Sequence, residues 1–327
     1  MKICTYLKSS FLGSHKRLGI VHQDRVIDVN LVWKYFFEQQ GYYSPDEKAN
    51  HHMPSSLSDI LTHYQENSLE RFKITLSHYN DLLKNGLDPQ KVSLSLNDIE
   101  FDSPLDKIVM YRDFYAHEKH VKKGFEKRGE EVPEAWYEIP AYYKGGTAGF
   151  LGNNTTIPWP SFSQKIDYEL ELGVVLGKDG FNISEEKALE HIFGYTILND
   201  ISARDIQRKE MSIRLGPAKG KDWCSIMGPV IVTSDEFGKN EPNLLMQARV
   251  NGELWSEGYS GDSHFTWSQM ISHMGQDEWI RASEFIGSGT VGTGCGLELD
   301  KWIKPGDIIE LEIEKIGILK NVVGNPK

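Results

Sequence analysis

Two glutamates spaced two apart in an apolar run constrain this chain more than any other feature. They lie in Asp167-Tyr-Glu169-Leu-Glu171-Leu-Gly-Val-Val-Leu-Gly, where β-branched and apolar residues lead into a Gly-Lys-Asp-Gly turn, the pattern of a strand. Side chains two apart on a strand share a face, so Glu169 and Glu171 point the same way. Carboxylates held that close repel unless a cation or a shared proton intervenes. A second apolar run, Gly194-Tyr-Thr-Ile-Leu, ends in Asn199-Asp200 and offers a third carboxylate at a strand end. An all-oxygen cluster suits Mg²⁺, Mn²⁺ or Ca²⁺ and suits Zn²⁺ poorly. The stretch from Asp167 to Gln207 reads as a divalent-metal site. The alternative is a solvated strand edge followed by an ordinary helix cap.

Composition narrows the classes. At 327 residues the chain can bury a full core in one large domain or two, and 39% hydrophobic with 25% charged residues is ordinary for a globular protein. A formal net charge of −11 argues against nucleic acid as a partner, because no basic field collects phosphates. Cys4, Cys224 and Cys295 are far apart and form no Cys-x-x-Cys pair, which fits a reducing compartment and offers no disulfide or zinc framework. No window approaches the ~18 apolar residues of a membrane span, and the N-terminus lacks a signal-peptide core. The expectation is a cytoplasmic protein that meets neither membrane nor nucleic acid.

Along the chain, residues 3–7 and 18–29 read as strands, the latter a hairpin around His22-Gln-Asp-Arg. Leu31 to Gln40 has helical spacing, Gly41 to Pro54 reads as a loop, and Ser55 to Gly86 reads as helical with Ser58 or Asp59 as cap. From Val92 the pattern alternates, as in a strand. The loop Asp102-Ser-Pro-Leu-Asp marks the expected boundary between a small α/β region, 1–102, and a β-rich catalytic domain, 103–327. Helical character returns at Phe114 to Arg128, Ser184 to His191 and Thr266 to Met274. The last strand, from Asp307, alternates strictly enough to have one wet face.

Other clusters carry chemistry. Tyr111-Arg-Asp113-Phe-Tyr115-Ala-His117-Glu118-Lys-His120 crowds polar groups at a helix start, where Asp113 could simply cap the helix. His117 and His120 are i,i+3 neighbours, and either could act as a general base beside a carboxylate. Lys119, Lys122, Lys123, Lys127 and Arg128 form the most basic patch of an acidic chain: a solvated helix face, or a lure for a carboxylate substrate. Arg204 and Gln207, again i,i+3, could bind an oxyanion if a helix starts at Asp200. Gly216-Pro-Ala-Lys219-Gly220-Lys221 lacks the Lys-Ser/Thr of a phosphate loop. Gly287-Ser-Gly289-Thr290-Val-Gly-Thr-Gly294-Cys-Gly296-Leu-Glu298 precedes a strand-like Leu-Glu-Leu and could bring backbone N–H groups to a ligand, or only turn a corner.

Taken together, Asp-Tyr-Glu-Leu-Glu-Leu and Asn-Asp-x-Ser-Ala-Arg-Asp-x-Gln resemble the signatures of the fumarylacetoacetate hydrolase family, in order along residues ~103 to 324. The resemblance implies an α+β, β-rich fold, a mixed β-roll or β-sandwich-like catalytic domain behind the small α/β region, usually as a homodimer. It makes Glu169, Glu171 and Asp200 metal ligands and adds Asp113 as a fourth. His120 matches the family's general base, and Glu298 the carboxylate that orients it. Tyr115, Tyr143, Arg204, Gln207, Lys221 and Thr290 match substrate-contacting positions. The segment Lys221-Asp-Trp-Cys-Ser-Ile-Met-Gly-Pro-Val-Ile-Val is more similar to the broader set of acylpyruvases, isomerases and hydratases.

The activity so implied is hydrolysis of a C–C bond in a 2,4-dioxo acid, of fumarylacetoacetate or acylpyruvate type. Mg²⁺ is the expected metal, with Mn²⁺ or Ca²⁺ as substitutes. His120 and Glu298 would activate water, Lys221 and Gln207 would steady the oxyanion or protonate the carbanion, and Arg204 with Arg128 and its basic neighbours would hold a distal carboxylate. Isomerisation, hydration or decarboxylation of a 2-oxo acid would use the same metal site. A metal-binding domain without turnover is disfavoured, because every carboxylate and the base are present.

Overall fold

Three strands, Leu170–Leu176, Ile192–Asn199 and Ser225–Thr233, are buried along their whole length. That is why they read as near-continuous apolar runs without alternation: both faces are covered. They are antiparallel neighbours at the centre of a twelve-stranded sheet. The computed structural model describes residues 1–11 and 13–326. On one side Leu170–Leu176 pairs with Phe285–Gly287, which pairs in parallel with Tyr111–Phe114, and Tyr142–Gly145 follows. On the other side Ser225–Thr233 pairs with Lys2–Ser10, whose hairpin partner Gly13–His22 continues to Arg25–Asp28 and Ser93–Ser95. The N-terminal strands and the carboxylate-bearing strands therefore belong to one sheet.

A second sheet of five strands runs Glu253–Tyr259, Leu245–Val250, Ile308–Ile313, Gly317–Pro326, Thr156–Trp159. Leu245–Val250 and Ile308–Ile313 bury alternate residues, one dry face and one wetter, as the alternation after Asp307 predicts. The dry face packs Met246, Ala248, Leu311 and Val323 against Leu172, Val174 and Ile197 of the large sheet. On the opposite face of the large sheet lie the N-terminal helices, through Trp33, Phe37, Leu57 and Phe72 against Val175, Phe193 and Phe285. Glu171 shares that face with Gly173 and Val175. The architecture is β-rich and mixed α/β, without a closed barrel among the described residues.

Several expectations for local structure need correction. The expected loop from Gly41 to Pro54 contains a helix, Pro45–His52, with Pro45 in its first turn and Asp46 and Glu47 there to favour the dipole. It buries only Ala49, so no apolar stripe announced it. The helical stretch from Ser55 is two helices, Leu57–His63 and Ser68–Lys84, and the cap is Ser56, whose hydroxyl accepts from Asp59 N–H. The strand expected from Val92 is interrupted at Leu96–Asp98, where the Ser95 side chain takes the Asn97 N–H and draws the chain into a turn. Phe114 belongs to a strand, and the helix expected from it runs Glu118–Glu126. Asp113 is consequently a strand residue and caps nothing.

Candidate active site

Register converges the acids. Asp113 sits opposite Gly287, and Gly287 opposite Gly173, two residues beyond Glu171 on the same face. Asp200 follows directly on Ile192–Asn199, its N–H bonded to the Glu169 carbonyl at 3.3 Å. Carboxylate oxygens of Asp113, Glu171 and Asp200 all come within 4.8 Å of one another, and all three residues are buried. A Cβ on Gly287 would stand 2.2 Å from Asp113 Oδ1 and 2.8 Å from Glu171 Oε2. A methyl group there would have to push both carboxylates aside.

Among the described residues, charge compensation in this cluster comes at Asp200, through Lys221, and not at Asp113 or Glu171. Burial, then the charge of Asp200, pushes the Asp113 carboxyl well above its ordinary range. Burial, then Asp113, Glu169 and Asp200, does the same to Glu171. Glu171 accepts from Gly289 N–H at 3.0 Å and from Thr290 Oγ1 at 3.2 Å, and neither donor carries charge. Among the described residues, neither Asp113 nor Glu171 has an ion-pair partner. Hard oxygen donors in a buried, anionic group fit Mg²⁺, Mn²⁺ or Ca²⁺.

Glu169, expected as a ligand, stands differently. It is ion-paired to Lys221 Nζ and, at 2.8 Å, to an Arg204 terminal nitrogen. Burial raises its pKa, but Lys221 and Arg204 outweigh it and hold the carboxyl down at about 2. Lys221 also reaches Asp200, so its ammonium stays charged despite burial. Tyr143 donates to Asp200 Oδ2 at 2.8 Å, and Ser225 to Oδ1 at 3.2 Å.

Arg204 and Gln207 come from a helix that starts at Arg204 rather than Asp200. Arg204 donates twice to Asp167, at 2.9 and 2.7 Å, and once to Gln207 Oε1 at 3.0 Å, besides its contact with Glu169. Every guanidinium nitrogen is therefore engaged within the protein. Asp167, fully buried, also accepts the N–H groups of Gly296 and Leu297 at 2.9 and 3.0 Å. Sequence reading assigned it no role; the signal available there was a third acid at the same two-residue spacing before Glu169.

Above this floor, His120 Nδ1 and Glu298 Oε1 meet at 2.6 Å. His120 comes from the Glu118–Glu126 helix, and Glu298 from Gly296–Leu299, a single helical turn where a strand-like Leu-Glu-Leu was expected. Thr293 N–H holds the second Glu298 oxygen at 2.9 Å. The charge of His120 reaches Glu169, and Tyr115 stands edge-on to the imidazole at 5.4 Å. The basic segment is matched charge for charge: Lys119 with Asp262, Lys122 with Glu118, Lys123 with Glu126, Lys127 with Asp300, Arg128 with Glu130. Such exposed pairs are weak and exchangeable.

Two residues beside the dyad escaped attention as site residues. Cys295 is completely buried, with Sγ 3.5 Å from Glu298 Oε1. His117, noted only as a possible base, is 2% exposed, and neither ring nitrogen has a hydrogen-bond partner among the described residues.

Residues 109–324 match the family profile described as Fumarylacetoacetate (FAA) hydrolase C-terminal. The chain belongs to the fumarylacetoacetate hydrolase family. An oxaloacetate tautomerase, YisK, of Bacillus subtilis (strain 168) is 39% identical to this family member over 163 residues, which cover 50% of this chain and 53% of that protein. The chain thus spans about half the length of that relative. An uncharacterized protein of Staphylococcus aureus (strain USA300) is 31% identical over 232 residues, 70% of this chain and 74% of its own. A fumarylacetoacetate hydrolase from psychrophilic Exiguobacterium antarcticum superposes with TM-score 0.71 at 23% identity over 99% of both chains. Maleylpyruvate hydrolase from Sphingobium sp. SYK-6, in complex with manganese (II) ion and pyruvate, superposes with TM-score 0.68 at 17% identity over 100% of both chains. At those identities the likeness establishes a shared fold. The relative from Bacillus subtilis, a tautomerase by its name, is an enzyme.

Proposed function

We propose that the protein is a divalent-metal-dependent hydrolase that cleaves a C–C bond in a small anionic 2,4-dioxo acid. The observation that carries this reading is the contact of His120 with Glu298, 2.6 Å long and set beside the buried carboxylates. Asp113, Glu171 and Asp200 would hold the cation, Mg²⁺ by preference, with Glu169 alongside. Bound there, the cation supplies Lewis acidity toward the oxo and carboxylate oxygens of the acid.

The chain's own groups do the rest. With Nδ1 committed to Glu298, His120 takes a proton from water at Nε2, and the Glu298 carboxylate steadies the imidazolium that forms. The water oxygen adds to the carbonyl carbon at position 4, and negative charge collects on the carbonyl oxygen. Lys221, kept cationic by Asp200 and Glu169, offsets that charge. The bond between carbons 3 and 4 then breaks, its electron pair passing to the three-carbon 2-oxo fragment, which takes up the proton. Arg204 acts through Glu169 and Asp167, fixing their orientation. Exchangeable cations of the 119–128 segment, Arg128 among them, receive a distal carboxylate.

The 39%-identical tautomerase supports a second reading: keto–enol interconversion of a 2-oxo acid. That reaction needs only proton transfer beside the oxo group, which His120 can perform. Incubating the protein with acylpyruvates, fumarylpyruvate and oxaloacetate, with and without Mg²⁺, separates the two. Metal-dependent release of pyruvate and a carboxylic acid supports cleavage. Enol conversion of oxaloacetate with no cleavage of any dioxo acid would overturn it in favour of tautomerisation.

A further inference from the structure

Cys295 lies where a merely structural cysteine has no need to be. Its backbone forms an isolated bridge with Glu169, and its buried sulfur faces the Glu298 oxygen that His120 also contacts. A thiol sulfur, an imidazole nitrogen and a carboxylate oxygen thus lie within 4.8 Å of one another. None of the three belongs to the carboxylate group of Asp113, Glu171 and Asp200.

The two donor sets have opposite tastes. Three hard oxygens select Mg²⁺ or Mn²⁺, whereas a sulfur, a nitrogen and an oxygen select Zn²⁺ and other thiophilic ions. Donors around one tetrahedral Zn²⁺ stand about 3.3–3.6 Å apart, given bonds of about 2.0–2.3 Å. Cys295 and Glu298, at 3.5 Å, already have that spacing. His120 and Glu298, at 2.6 Å, open by less than about an ångström once a cation replaces the proton between them. Tetrahedral Zn²⁺ with three protein ligands takes water as its fourth.

We propose that His120, Cys295 and Glu298 form a second metal site, selective for a thiophilic divalent cation, which inhibits the protein by seizing its histidine–glutamate pair. Occupancy puts the cation on His120 Nδ1 in place of its proton, so the neutral ring must carry its proton on Nε2. That nitrogen can then no longer accept a proton from water. Glu298 is drawn off the imidazole at the same time. Burial raises the Cys295 thiol well above its ordinary range, so the incoming ion must displace a proton from sulfur. The binding site goes beyond the proposed reaction; the inhibitory consequence rests on it.

The test titrates Co²⁺ into the full chain saturated with Mg²⁺. The expected result is a saturable thiolate-to-cobalt charge-transfer absorption that Zn²⁺ abolishes. It should be lost in Cys295→Ser and retained in Cys224→Ser and Cys4→Ser. Absence of the band in the unmodified protein, or its survival in Cys295→Ser, would overturn the proposal. If Cys295→Ser does not fold, His120→Ala and Glu298→Gln decide: each should raise the titration midpoint at least about tenfold, and unchanged midpoints in both would overturn the site. In the parallel assay, Zn²⁺ should inhibit the unmodified protein and not Cys295→Ser, each compared with its own rate before zinc. Equal inhibition of both would overturn the inhibitory role. The absorption reads the site whether or not the chain cleaves a dioxo acid, so the two failures are distinguishable.

Discussion

His120 and Glu298 lie 178 positions apart in sequence and share a 2.6 Å contact. At the residue scale this pair makes the sharpest kinetic prediction. His120→Ala should lower kcat about 10²- to 10⁴-fold with the metal site intact. Full turnover in that variant would remove His120 as the base. His117 makes a prediction about stability. Burial, then the charge of His120 and Lys119, lowers its pKa to about 4, against the opposing pull of Asp262 and Glu298. An unfolded histidine titrates near 6.5, so between about pH 6.5 and 4 the unfolded chain holds the extra proton. The stabilising contribution is therefore complete above pH 6.5 and lost as pH falls toward 4, on the order of 3 kcal/mol in all. His117→Phe should flatten that acid limb in urea titrations across this range. An unaltered slope would show that His117 does not govern it.

At the element scale, the two signature strands were legible because their function fixes their pattern. Glu171 faces inward from a strand otherwise apolar on both sides, and Glu169, two residues earlier, is buried just before that strand begins. The helix Pro45–His52 was illegible for the converse reason, since burying one alanine leaves no stripe to read. The turn Gly296–Leu299 misled because four residues cannot display a helical period. Asp113 was assigned its site by family resemblance while its local sequence suggested a helix cap; its placement depends on a parallel partner strand far downstream. That pairing makes Gly287 a determinant of the centre. Gly287→Ala should abolish the rise in Tm caused by Mn²⁺, because the new methyl group occupies the space between Asp113 and Glu171. A metal-dependent rise equal to that of the unmodified protein would refute this reading.

Across the whole molecule, the sequence divides more readily than the sheet does. The loop at Asp102 reads as a boundary, yet Lys2–Ser10 is hydrogen-bonded to Ser225–Thr233 within the same sheet as the acids. Pairing between such distant segments leaves no local trace, which is why composition and turn signals could not disclose it. Removing residues 1–102 would bare the edge of a fully buried strand and the apolar face over Val175, Phe193 and Phe285. The truncated chain should be recovered aggregated; a soluble, monodisperse fragment that binds metal would establish an independent domain instead. For the full chain, Mg²⁺ or Mn²⁺ at a hundredfold excess over Kd should add about 2.7 kcal/mol and raise Tm by about 4 °C relative to EDTA. An unchanged melting curve would remove the metal centre.

The route by which the centre assembles has a consequence in time. Asp113 and Gly289, which meet through a 3.3 Å hydrogen bond, are 176 positions apart, and the parallel strands that join them are among the costliest contacts to close. A cation finds its three carboxylates together only after that closure. Mn²⁺ should therefore slow unfolding in stopped-flow experiments while leaving the refolding rate where it was. A bound ion would act as a latch on a finished chain and would give a nascent one no help.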